Sequence, residues 1–308
     1  MLDIFQKTLS QKVCFKGKGL HSGKNSTINL FPAKENTGIV FERVDLHEKN
    51  LIVANFSNVT STRLCTTLKN NYGAKVSTVE HLLAALYIAG IDNALIQIDN
   101  EEVPIMDGSA KDFLNVFKKV DLIDQPRKRK YLKILSKIKL IDGKKKISIE
   151  PNNSSFEINF QLNYENKIIG KQKNIIDFQK DDLTEVSDSR TFCLYEDIEK
   201  IKKIGLAKGG SLENAVVVKN NKILNEGGLR NEKEFVNHKI LDLAGDFLLS
   251  GYRIIGKVSC YQGGHQLTNM FLRKIFDTKT ALEFIELSHL EISEKIGSKE
   301  IEKIAINA

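Results

Sequence analysis

The sequence predicts an α+β protein made of two similar two-layer α/β sandwich domains with the active site between them. Three observations carry this expectation. Each half reads as strands first and helices later, the order helix, strand, loop, helix recurs in both halves, and a proline beside a run of charge separates them near residue 126. The units are expected at 1–126 and 127–308. A chain of 308 residues is long enough to bury a substantial core in one large or two medium domains.

In the first half, Val13–Phe15, Thr27–Leu30, Ile39–Glu42 and Leu51–Ala54 are short strand-like runs with Gly or Asn turns between them. Val79, Leu82, Leu83 and Leu86 recur at helical spacing and predict a helix over Thr78–Ala89. Ala94–Ile98 then reads as a strand and Ala110–Lys119 as a second helix. Leu122–Pro126 and the basic run Arg127–Lys130 read as a solvated linker. In the second half, Lys133–Leu140, Lys145–Glu150 and Phe156–Leu162 predict strands ahead of a long helix over Glu232–Ser250. The strand Arg253–Tyr261, a Gly-rich loop and the helix Gln266–Phe276 follow. A segment at about 193–219 has no counterpart in the first half and is expected to be an insertion.

Composition narrows the function classes. With 41% hydrophobic and 28% charged residues, the chain is too apolar for an intrinsically disordered one. The net charge of +7 admits nucleic acid, an anionic membrane face or an acidic small molecule, although most of such a surplus is solvated surface. The longest apolar stretch, Leu82–Ala89, falls far short of the roughly 20 residues that cross a bilayer. Met1–Lys7 shows no basic region followed by an apolar run, so no secretory signal is expected. Cys14, Cys65, Cys193 and Cys260 are scattered without a Cys-x-x-Cys pair, which disfavours disulfides and a thiolate metal site. The chain therefore reads as cytoplasmic, and any metal should be held by His and carboxylate.

Within the long second-half helix, Val236, Ile240, Leu243, Ala244 and Phe247 form one apolar side. His238 and Asp242, four apart, share the opposite face, with Lys239 and Asp246 flanking it. The pair is either an exposed stabilising contact or two convergent metal ligands. At the start of the first-half helix, Ser77 and Glu80 fit a capping box, which would account for Glu80 structurally. Alternatively, His81 is a third ligand with Glu80 as the base beside it. His265, after Gly263-Gly264, is either a general acid projecting from a flexible loop or a capping residue. Gly17–Lys24 resembles a phosphate cradle, but Lys18 and Asn25 break the Walker pattern, leaving an anion contact by His21 or Lys24.

Taken together, these residues resemble those of the UDP-3-O-acyl-N-acetylglucosamine deacetylases, the zinc amidases of bacterial lipid A synthesis. The resemblance runs almost end to end. In the first half it is carried by Gly19–Lys24, Ser77–Leu82, Gly90-Ile91-Asp92-Asn93 and Val103–Ala110. In the second it rests on Ser189-Arg190-Thr191-Phe192, Leu224–Arg230, His238-Lys239-x-x-Asp242 and Gly264-His265.

The resemblance implies that His81, His238 and Asp242 hold Zn2+ with a water as fourth ligand, and that Glu80 deprotonates that water for attack on an acetamide. Thr191 would help the zinc to stabilise the oxyanion, and His265, oriented by Asp246, would protonate the departing nitrogen. Lys239 would sit near the diphosphate, with Phe192 and His21 as further substrate contacts. The inserted segment, with Ile198, Ile201, Ile204, Leu206 and Val216–Val218, would form the acyl passage. The implied reaction yields UDP-3-O-acyl-glucosamine and acetate, the committed step of lipid A biosynthesis. The implied partners are the acylated UDP-sugar and, transiently, the inner membrane; no nucleic acid and no obligate second subunit are expected. Two departures stand out. Gln262-Gly263 replaces the Lys-Ser that many members carry, and Leu162 stands where an aromatic ring often stacks on uracil, with Tyr164 as a substitute. The alternatives are a zinc deacetylase of a different amino sugar and, in another class, a basic RNA-binding module without catalysis.

Overall fold

The computed structural model describes residues 2–288, an α+β arrangement with six α-helices and five β-sheets among those residues. Met1 and residues 289–308, the last part of the expected second domain, lie outside the described residues. The helices are α1 (Glu80–Ala89), α2 (Lys111–Phe117), α3 (Thr184–Asp188), α4 (Tyr195–Lys203), α5 (Glu234–Leu248) and α6 (His265–Asp277).

The five-stranded sheet of the first half runs in the order Val13–Lys18, Asn25–Pro32, Ala94–Ile98, Ile39–Arg43, Leu51–Val53. Its strands alternate buried and less buried residues, the period-2 signature of a sheet with one face on the core. Gly90, at φ 81°, ends α1 in the left-handed region and turns the chain toward Ala94–Ile98. The seven-stranded sheet of the second half is centred on Arg253–Tyr261, which pairs with Lys130–Ile134, Lys145–Glu150 and Phe156–Asn163. The expected recurrence is present: α1, Ala94–Ile98, α2 in one half, and α5, Arg253–Tyr261, α6 in the other.

Helices α1 and α5 pack on each other more extensively than any other two elements. From Glu80 to Tyr87 every residue of α1 is buried, and in α5 only Lys239 is not. Helices covered on all sides belong between layers rather than at a surface. The covering is closest at Gly245, where a Cβ would land on the carbonyl oxygen of Glu80 and within 3.0 Å of the Ala84 nitrogen.

Two expectations about the middle of the chain are overturned. Leu122–Lys128 is not a linker but a strand paired with Phe5–Leu9. Pro126 is tolerated there because this sheet has only two strands. Within the basic run, Arg129 is buried between Asp3 (2.6 Å) and Asp92 (2.7 Å), and it donates to the Gly90 carbonyl at the end of α1. Arg127, Lys128 and Lys130 are exposed, as expected. The single strand expected over Lys133–Leu140 is two, Lys130–Ile134 and Ile138–Asp142, which pair with different neighbours.

The segment at about 193–219 contains α4 and ends in Val216–Lys219, which runs parallel to Phe192–Leu194. No residue of α4 is buried, so the helix stands off from the core. Among the described residues no helix is long and apolar enough to cross a membrane.

The paired arginine separates the roles within the basic run. Replacing Arg129 with Ala leaves Asp92 without its closest cation and should cost about 3 kcal/mol in urea unfolding. Arg127→Ala should stay within about 0.5 kcal/mol of the parent chain.

Candidate metal centre and active site

The chain enters α1 through a constrained corner. Thr78, a β-branched residue, sits at φ 56°, a conformation costly for such a side chain. It is held there because its hydroxyl donates to the Glu102 carboxylate at 2.9 Å. The same carboxylate accepts the backbone N–H groups of His21 and Ser22, each at 2.7 Å. The Gly17–Lys24 loop therefore turns two of its backbone N–H groups onto an internal carboxylate.

Nor is there a capping box. The Ser77 hydroxyl donates to the Glu101 carbonyl, and α1 begins without a side-chain cap. Glu80 instead accepts the Thr66 N–H at 3.0 Å with its Oε2. Burial raises its carboxyl pKa, helped by Asp242 and Asp246 and opposed by the His265 and His81 rings.

Because Gly245 lets the two helices touch, the first turn of α1 faces the middle of α5. His81, His238 and Asp242 consequently present one ligand atom each, all within 4.8 Å of one another. The Nε2 atoms of His81 and His238 both lie 3.4 Å from Asp242 Oδ1. His238 and Asp242 are not the solvated pair that one helix face allowed, since both are buried. His238 Nδ1 lies 3.1 Å from the Ser189 carbonyl, which can only accept, so Nδ1 carries the proton and Nε2 presents a lone pair. Burial drives the His238 pKa down to about 3, against the pull of Asp242, which keeps the ring neutral. Burial opposes ionisation of Asp242, yet the Lys239 ammonium, 2.9 Å from Oδ2, holds its carboxyl well below the usual range. Asp242 Oδ1 is buried without a hydrogen-bond partner. Two imidazole nitrogens and an unsatisfied carboxylate oxygen converging at a buried centre fit a divalent ion with N and O preference.

Opposite this cluster, His265 opens α6 with Gly264 as the N-cap and makes no capping bond. Its Nδ1 is 2.8 Å from Asp246 Oδ2, and its Nε2 is 3.8 Å from Glu80 Oε1. Burial works against its charge, but the Asp246 and Glu80 carboxylates outweigh it and raise the pKa to about 10. Lys239 donates to Asp242 Oδ2 at 2.9 Å and lies 5.3 Å over the Phe192 ring.

Thr191 and Phe192 lead away from this centre into a cavity of about 790 Å3. Ile198, Ile201, Val217 and His21 also line it. Ile204 and Leu206 are not among its lining residues, and Val216 and Val218 are fully buried on the other side of their strand. At the expected stacking position, Leu162 faces the core at 4% exposure, whereas Tyr164 is exposed and edge-on to Phe192 at 5.9 Å.

The geometry thus brings Glu80, His81, His238, Asp242, Asp246, His265 and Lys239 into one centre, with Phe192 beside it and Thr191 and His21 on the adjoining cavity. Residues 6–277 match the family model for UDP-3-O-acyl N-acetylglycosamine deacetylase (LpxC). The chain belongs to that family. A protein of Geobacter sp. (strain M21), named UDP-3-O-acyl-N-acetylglucosamine deacetylase, is 44% identical over 285 residues, 91% of this chain and 93% of the relative. One of the same name from Pasteurella multocida (strain Pm70) is 42% identical over 92% of this chain and 93% of its own length.

Three supporting groups escaped the sequence reading. Thr66 bonds Glu80 and Asp246, Glu102 anchors the entry to α1, and Arg190 pairs with Glu234 at 2.7 Å where α5 begins. Their partners are distant in sequence, and no periodicity announces them. The helix contact itself is testable. Gly245→Ala should cost about 3 kcal/mol by overpacking, and the surviving folded fraction should bind metal more weakly in a chelator competition.

Proposed function

We propose that this chain hydrolyses the N-acetyl group of UDP-3-O-acyl-N-acetylglucosamine, giving the free amine and acetate, and that the metal is zinc. The observation that carries the reading is the convergence of His81, His238 and Asp242 with a raised-pKa carboxyl, Glu80, and a protonated imidazole, His265, on one buried centre. The two halves divide the labour: 1–126 supplies Glu80 and His81, and 127–308 supplies His238, Asp242 and His265. With family membership, this set supports metal-assisted amide hydrolysis over a serine or cysteine mechanism.

His81 Nε2, His238 Nε2 and Asp242 Oδ1 would hold the ion. A zinc ion supplies Lewis acidity toward the acetamide carbonyl and a water of lowered pKa. Glu80, beside the ligands, would take the proton from the attacking water. The raised carboxyl pKa suits a base that must later release the proton. His265 then delivers its Nε2 proton to the sugar nitrogen as the C–N bond breaks, since an amide nitrogen leaves poorly without one. Asp246 keeps the ring turned so that Nδ1 is bonded and Nε2 is available.

Thr191, at the cavity mouth, would present its hydroxyl to the developing oxyanion. Lys239 and His21 are the candidate contacts to the anionic nucleotide, and Phe192 and Tyr164 offer ring faces beside Lys239. The apolar cavity behind Thr191 would take the acyl chain. Exposed Leu212 and Leu224 on its lining would favour brief contact with a membrane holding acylated substrate.

Metal analysis should return one zinc per chain, and His81→Ala or Asp242→Ala should lose both zinc and deacetylation. Glu80→Gln should retain zinc and fold while kcat falls by about 10² to 10⁴. A Glu80→Gln protein of full activity would remove Glu80 as the base. Removing the acyl chain from the substrate should lower kcat/KM, measured as amine release, because the cavity contact would then contribute nothing to the transition state.

A further inference from the structure

Among the described residues, Thr66 alone hydrogen-bonds both Glu80 and Asp246. It lies just before the strand Thr67–Lys69, is 2% exposed, and is separated from Asp246 by 180 positions. Its backbone N–H donates to Glu80 Oε2 at 3.0 Å, and its hydroxyl donates to Asp246 Oδ1 at 2.7 Å. Its carbonyl accepts the N–H of Val79, the residue before α1, at 3.4 Å. The residue is therefore latched at three points, and two of its bonds end on groups that the proposed chemistry uses.

We propose that Thr66 is a positioning residue that fixes the proton donor and the proton acceptor relative to each other. The inference rests on the reading of Glu80 and His265 given above. A carboxylate held by one oxygen can swing about its last torsion, whereas one held by both cannot. Asp246 is held by both: Oδ1 by the Thr66 hydroxyl and Oδ2 by His265 Nδ1. With Asp246 fixed, the imidazole plane is fixed, and Nε2 points to Glu80 Oε1. Glu80 is restrained from the other side, because the Thr66 N–H occupies Oε2 and leaves Oε1 toward the cleft. A hydroxyl has one proton to give, and an ionised carboxylate only accepts, so the direction of the Thr66–Asp246 bond is unambiguous.

A structural role alone would make the hydroxyl matter for stability and not for turnover. The test uses Thr66→Val, which keeps the shape and the N–H bond to Glu80 but deletes the hydroxyl, and Thr66→Ser, which keeps the hydroxyl. Each is made in the full chain and loaded with zinc. Thr66→Val should lose kcat by on the order of 10- to 100-fold, with KM and zinc content unchanged, and Thr66→Ser should restore it. In an Asp246→Ala background, Thr66→Val should add no further loss, since its effect runs through Asp246. A Thr66→Val enzyme of wild-type kcat, a Thr66→Ser enzyme as impaired as Thr66→Val, or an additive double variant would each overturn the proposal. If Thr66→Val does not fold, Thr66→Ala takes the same comparison.

A second readout needs no substrate and separates this proposal from the functional reading. In spectra of protein carrying 15N-histidine, the Nδ1 proton of His265 should shift in Thr66→Val and return in Thr66→Ser. An unmoved resonance counts against the positioning role even if deacetylation is confirmed. A moved resonance in a chain that deacetylates nothing would leave Thr66 in place and remove the assigned reaction.

Discussion

The whole arrangement depends on how closely two backbones approach. Gly245 has no side chain, so α5 lies against the carbonyl of Glu80 with nothing between them. Any other residue would lever the helices apart by roughly the width of a methyl group, and the centre has no slack of that size. His81 comes from one helix and His238 and Asp242 from the other, so their separation is the helix separation. The sheets on either side, the glycine that ends α1 and the buried Arg129 at the same end all serve to keep that crossing in register.

Around the crossing, buried charge is arranged in opposing pairs rather than avoided. Three carboxylates, those of Glu80, Asp242 and Asp246, stand within one centre, and their environments drive them apart. Asp242 is pinned in its ionised form by Lys239, while Glu80, desolvated by burial and beside two further carboxylates, resists ionisation. The imidazoles divide in the same manner. His238 is kept neutral by burial and His265 is kept charged by Asp246 and Glu80. Groups of only two residue types are thus set in distinct protonation states by their surroundings alone, which is what the proposed division into ligand, base and acid requires.

What was legible in the sequence was whatever a local rule could express. Ala94–Ile98, Lys145–Glu150 and Arg253–Tyr261 match their expected bounds, because alternation and β-branched residues are local. The spacing of His238 and Asp242 placed them on one helix face, but not whether solvent or α1 lay opposite. Pro126 and its charged neighbours looked like a linker because nothing local reveals that Phe5–Leu9 would come to pair with them. Thr66 and Glu102 were illegible for the same reason: each is an ordinary polar residue until the fold carries it to a distant partner. Leu162 faces the core within Phe156–Asn163, whereas Tyr164, at the same parity, lies past the end of that strand and meets the surface, which no alternation rule foretells.

Glu102 also joins two regions that differ in purpose. One carboxylate grips the backbone of His21 and Ser22 beside the apolar cavity and, through Thr78, the corner from which Glu80 and His81 emerge. The wall of the apolar cavity and the root of the helix that carries Glu80 and His81 share an anchor. In evolutionary terms the two cannot drift separately. A lineage that reshapes the His21 loop also perturbs the support of Glu80 and His81, so changes in the cavity wall must arrive together with compensation around Glu102.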